Sequence, residues 1–104
     1  AINAINCASV LRPGGPVYFA ADHKVAVDHI QEYSKQHNLP VVFLEHAEDP
    51  LHLDLARNLT ERSPSDYYAT FVDLLILGQS RCLAYSNGGY GTFGLLLGFN
   101  ASCS

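Results

Sequence analysis

The sequence predicts an α/β fold, a Rossmann-like parallel sheet of about three strands with flanking helices, on three observations. Three short apolar runs rich in β-branched and aromatic residues alternate with helix-length segments. Those runs are apolar without a polar alternation, as strands covered on both faces are. Strand–helix repetition is the order that right-handed crossovers turn into a parallel sheet. With 104 residues, 48% hydrophobic and 15% charged, the chain suits one small domain (1–104) rather than a disordered tail.

The elements follow in order. Residues 1–11 read as the last turns of a helix, broken by Pro13-Gly14-Gly15-Pro16, which cannot continue one. Val17-Tyr18-Phe19-Ala20-Ala21 reads as a buried strand ending at Asp22. In the next segment, 23–38, Val25, Val27, Ile30 and Tyr33 form the apolar side of a helix with a polar outer face, stopped by Asn38-Leu39-Pro40. Val41-Val42-Phe43-Leu44 is a second strand. A polar stretch, 46–65, has room for a short helix over 51–58. Ser65 or Asp66 is placed to cap a helix over 67–77, which is apolar nearly all round and so expected to be buried, with Gly78 as its end. Residues 81–85 form a third strand and 91–99 a last apolar helix. Ala101-Ser102-Cys103-Ser104 shows no closing element, and the chain reads as a piece of something longer.

A net charge of −4 and a pI of about 5.6 lack the basic footprint that nucleic acid or an anionic membrane surface needs. The strongest apolar stretch, 71–77, is interrupted by Asp73 and falls far short of the ~20 residues that span a bilayer. Cys7, Cys82 and Cys103 have neither zinc-ribbon nor redox spacing. Cys82 and Cys103 could pair in an oxidising compartment, and the sequence leaves that pairing open. Two Asn-x-Ser/Thr sequons, at Asn58 and Asn100, tilt weakly toward a secretory lumen.

In open α/β sheets ligands bind beyond the carboxyl ends of the strands. Those ends carry Asp22, Glu45-His46 and Ser86-Asn87-Gly88-Gly89-Tyr90. The last opens a formal G-x-G-x-x-G (Gly89, Gly91, Gly94) between a strand and a helix, where bare backbone N–H groups can meet phosphate oxygens. The same glycines would also serve tight strand–helix packing alone. Asp73 is the one charge in its apolar segment, and a buried carboxylate needs partners. The N1–H and exocyclic amine of guanine would supply two matched donors; local backbone donors or Arg81 would do so without a ligand. Asp22 could meet a ligand or merely cap the helix after it. Asp49, His52 and Asp54 are close in sequence but make a poor metal set, and no metal is expected.

Taken together, Val17-Tyr18-Phe19-Ala20-Ala21-Asp22, Pro40-Val41-Val42-Phe43-Leu44, and the segment 68–86, which includes Thr70-Phe71-Val72-Asp73-Leu74-Leu75 and Arg81-Cys82-Leu83-Ala84-Tyr85-Ser86, resemble a known family. The likeness, over residues 16–99, is to the C-terminal donor-binding lobe of GDP-fucose-dependent fucosyltransferases of the α1,6- and protein O-fucosyltransferase group. This resemblance implies a GT-B-like lobe, inverting transfer without a catalytic metal, GDP-sugar as donor substrate and no further cofactor, a glycan or protein acceptor met through another lobe, and a Golgi or ER lumen. It implies that Asp22 closes a strand, that Asp73 recognises guanine, and that Ser86 to Gly89 hold the diphosphate. The family's paired serines fall on Gly88 and Gly89, so backbone N–H groups or Ser86 would replace their hydroxyls. Its His-x-Arg motif lies on an upstream strand, and Arg12 does not match it, so turnover by this chain alone is not expected.

Two other readings stand beside the donor lobe. One is a non-catalytic α/β protein-interaction module, in which Asp73 is satisfied internally rather than open toward a cleft beside Gly88. The other is a small nucleotide-binding domain with no preference for guanine.

Overall fold

The computed structural model describes residues 1–45, 63–86, 89–98 and 101–103. In chain order they form α1 (Ile2–Leu11), β1 (Val17–Tyr18), α2 (Lys24–Gln36), β2 (Val41–Val42), a 3₁₀ turn (Pro64–Tyr67), α3 (Tyr68–Gln79), β3 (Cys82–Ala84), α4 (Gly89–Gly98) and β4 (Ala101–Cys103). The fold is mixed α/β with parallel strands, as expected. The expected short helix over 51–58 lies outside the described residues.

The strands make two parallel pairs. β1 pairs with β2, Val17 opposite Val41 and Tyr18 opposite Val42. Flanking bonds from Val17 N–H to Pro40 O (2.9 Å) and from Phe19 N–H to Val42 O (2.8 Å) extend this ladder. β3 pairs with β4, Cys82 opposite Ala101 and Ala84 opposite Cys103. Among the described residues no ladder joins β1 or β2 to β3, so the strands do not form one three-stranded sheet. Instead α1 packs against β1, β3 and β4. β4 corrects the expectation that 101–104 holds no element: its short Ala-Ser-Cys run has no strand signal of its own and is a strand through pairing with β3.

The first pair has a closed core. Ile30 of α2 (0% exposed), Ile5 of α1 (1%) and Phe19 meet, with Ile2, Val17, Val27, Leu39 and Val41 packed around them. Fully burying each aliphatic side chain contributes about 1.5–3 kcal/mol. α2 stops where the sequence says. Asn38 takes φ 51°, Leu39 N–H reaches Ser34 O (2.9 Å) and Asn38 N–H reaches Lys35 O (3.4 Å), the paired bonds of a Schellman end.

The second pair departs further from expectation. α3 is not capped by Ser65 or Asp66; it grows out of the 3₁₀ turn, with Tyr67 at the N-cap position and no side-chain cap bond. The Ser63 hydroxyl is spent on Ser65, 2.9 Å from its Oγ. Nor is α3 buried all round: Thr70, Asp73 and Leu74 face inward, whereas Tyr68, Phe71, Val72, Leu75 and Ile76 are exposed. One layer covers one side of a helix, and among the described residues no second layer lies over this one. Gly78 does not end α3, which runs on to Gln79 with Ser80 at the C-cap. A Cβ on Gly78 would sit 3.2 Å from Leu97 Cβ, and one on Gly94 3.3 Å from Leu77 Cβ. These glycines set how closely α3 and α4 approach.

Candidate functional site

Asp73 lies on the inward face of α3 with 4% of its surface exposed. One of its partners comes from the other half of the chain. The hydroxyl of Tyr18, at the end of β1, donates to Asp73 Oδ1 at 2.5 Å. That is the short geometry of an O–H bond to a carboxylate. Neither Arg81, which is exposed, nor a guanine is needed to give the carboxylate this donor. Tyr18 was not among the sequence candidates. The available signal was a polar-tipped aromatic inside an apolar strand, since a buried tyrosine hydroxyl has to find a partner.

Same face, same helix: Tyr67, Thr70 and Asp73 recur every three residues on the buried side of α3 and its lead-in turn. The Tyr67 hydroxyl is buried and has no hydrogen-bond partner among the described residues. The inward face of α3 is therefore more polar than its outward one, the reverse of an ordinary surface helix.

The glycine motif falls where β3 gives way to α4. Ser86 is exposed just past the strand, and Gly89 and Tyr90 form the first turn of α4. Asn87 and Gly88 lie outside the described residues, so the expected opening of Asp73 toward Gly88 does too. A Cβ at Gly91 would come 2.5 Å from Tyr85 Cβ, which no side chain tolerates without a shift. Gly91 is thus required by packing of the helix against the strand's end. The first turn of α4 carries no acidic side chain to oppose an anion.

Asp22 is exposed one residue ahead of His23, the N-cap of α2, and so does not hold the capping position itself. It stands apart from Asp73 in role: one is on the surface, the other in the interior. A cleft of about 260 Å³ lies between the first turns of α2 (Lys24, Val27, Asp28, Gln31) and Phe43 to Glu45. None of the expected site residues lines it. Its cation is already engaged, because Lys24 Nζ lies 3.0 Å from both Asp28 oxygens.

Among the described residues no three His, Cys, Asp or Glu side chains come together as a metal set, and no helix is long and apolar enough to cross a membrane. Asp49, His52, Asp54 and both sequon asparagines, Asn58 and Asn100, lie outside the described residues. Cys82 carries a free thiol, so the pairing with Cys103 that the sequence left open is not made, and Cys7 is disulfide-bonded. Parallel pairing explains the free thiol: Cys82 opens β3 opposite Ala101, while Cys103 lies opposite Ala84 at the far end of the ladder. In comparisons of sequence and of fold, no family model, no curated protein and no solved structure matches this chain.

Proposed function

We propose that this chain is the donor-nucleotide half of an inverting glycosyltransferase that takes a GDP-sugar, of the kind its motifs resemble. What carries the reading is one juxtaposition: β3 ends at Ala84, Ser86 is exposed, and α4 begins at Gly89. A glycine-started helix right after a parallel strand aims its first N–H groups at a diphosphate. In this proposal Ser86 and the backbone of Asn87 to Tyr90 hold the phosphates. Charge developing on the leaving β-phosphate is stabilised there by fixed donors. Asp73 reads guanine by exchanging the Tyr18 hydroxyl for the base's paired donors, and Asp22 borders the site from the segment between β1 and α2.

The strand pairs support a larger sheet. In the doubly wound order 3-2-1-4-5, removing the central strand leaves two separate parallel pairs, and the chain has two separate parallel pairs, β1–β2 and β3–β4, among its described residues. We therefore place a further parallel strand between β1 and β3 in the intact Rossmann-like, GT-B-like lobe. Acceptor binding and the family's catalytic Arg belong to segments other than this one. The disulfide at Cys7 suits an oxidising lumen.

A second reading, the non-catalytic interaction module, is favoured by a specific observation. Asp73 is buried and already hydrogen-bonded by Tyr18. Titration with GDP, UDP, ADP and NAD, followed in amide NMR spectra, separates the readings. The donor half shows GDP-selective shifts at Asp73 and at 86–91, lost in Asp73→Asn. A folded spectrum indifferent to all four nucleotides sinks the proposal in favour of the module. Equal response to GDP and ADP, unchanged in Asp73→Asn, replaces it with a nucleotide domain that does not read guanine.

A further inference from the structure

The exposed large apolar side chains are not scattered. Val10, Val25 and Val42 stand singly, as is ordinary for a protein surface. The other eight belong to two helices: Tyr68, Phe71, Val72, Leu75 and Ile76 on α3, and Phe93, Leu96 and Leu97 on α4, each 37–63% exposed. α3 and α4 pack together through Gly78 against Leu97 and Gly94 against Leu77, so their outward sides adjoin. We infer that this outer face of α3 and α4 is the interface through which two copies of the chain pair.

Three observations select a second copy. The first is area. Eight large apolar side chains, each more than a third exposed, stand on this face, whereas a monomer usually leaves no patch beyond about 300–600 Å² and a standard stable interface takes ~800 Å² per partner. The second is charge. α4 has no ionisable group except the phenol of Tyr90, and the one charge of α3, Asp73, points inward. In a chain of net charge −4, this face gives an oppositely charged partner nothing to recognise. It also sets no like charges against each other when it meets itself. The third is form. Two helices held at glycine distance make a firm platform of Phe, Leu and Tyr, and a two-fold axis over such a platform repeats every contact twice.

Sedimentation velocity on the full chain, from about 1 to 300 μM, tests this across the affinity range of weak to moderate dimers. The expected result is a concentration-dependent rise from the 11.3 kDa monomer to twice that mass. Leu75→Glu and Leu96→Glu should each weaken pairing by about 100-fold or more, because they place a charge at the centre of a desolvated contact. Val25→Glu, on α2 and 78% exposed, should leave it unchanged. Circular dichroism checks that each variant folds, and Leu75→Ser replaces Leu75→Glu if the latter does not. A monomer throughout the range overturns the inference, as does a dimer indifferent to both leucine variants. Co-sedimentation of a non-pairing chain with phosphatidylcholine vesicles overturns it in favour of a lipid surface.

Discussion

Helix α2, beside the first strand pair, turns Lys24, Asp28, Glu32, Lys35 and Gln36 to solvent and Ile30 to the core. Helix α3, beside the second pair, turns Phe71, Val72 and Leu75 to solvent and Thr70 and Asp73 inward. α2 packs its apolar side onto the first strand pair, whereas α3 packs onto α4. What differs is the number of layers each was built to touch. α2 belongs to a finished surface. α3 and α4 have the composition of helices covered on both sides.

The largest expected effect is at the closed end of this comparison. Ile30→Ala should lose about 2–5 kcal/mol in urea unfolding, since it empties a fully buried site. Leu75→Ala, at an equally apolar residue on α3, should move stability by no more than about 0.5 kcal/mol at concentrations where the chain is monomeric. Equal losses at the two sites would erase the contrast. Next comes Gly91→Ala, where a methyl group meets Tyr85 at 2.5 Å. Overpacking of that kind costs about 1–3 kcal/mol, and its thermal unfolding should show the loss. A smaller loss would mean that α4 slides on β3 and that the second half is loosely set.

Tyr18→Phe tests the link between the halves. It removes a donor from a buried carboxylate, which should cost about 1–3 kcal/mol. A double-mutant cycle with Asp73→Asn should return a coupling of about 0.5–3 kcal/mol, and a zero coupling would mean that the bond joins nothing. Smallest of all is Asp28→Asn. It breaks the exposed pair with Lys24, worth under about 0.5 kcal/mol and sensitive to salt.

The helices and three strands were legible because each carries a local signal: the Pro-Gly break after Leu11, the amphipathic pattern of α2, the apolar run of Val41 and Val42. The stop of α2 ahead of Asn38-Leu39-Pro40 was legible for the same reason, and its Schellman geometry was not. β4 was not, because a three-residue parallel strand is defined by its neighbour and not by Ala, Ser and Cys. The exposure of α3 was not legible either. An all-apolar helix states that it wants cover, and periodicity cannot say whether a second layer is present. At the candidate site, Asp73 stood out as a lone charge, and its burial was expected. That its donor is Tyr18 was hidden by 55 residues of separation.

The same 55 residues carry a consequence for how the chain acquires its structure. The ladders close over much shorter stretches, Val17 to Val41 and Cys82 to Ala101. Closing a longer loop adds entropy cost before any bond rewards it, so each strand pair can assemble ahead of the Tyr18–Asp73 bond. On that order of events the bond is expected to close as a latch, after the rate-limiting barrier. Tyr18→Phe should accordingly leave the refolding rate nearly unchanged and place its whole effect on unfolding, in stopped-flow experiments. Slowed refolding would instead put the two halves together from the start.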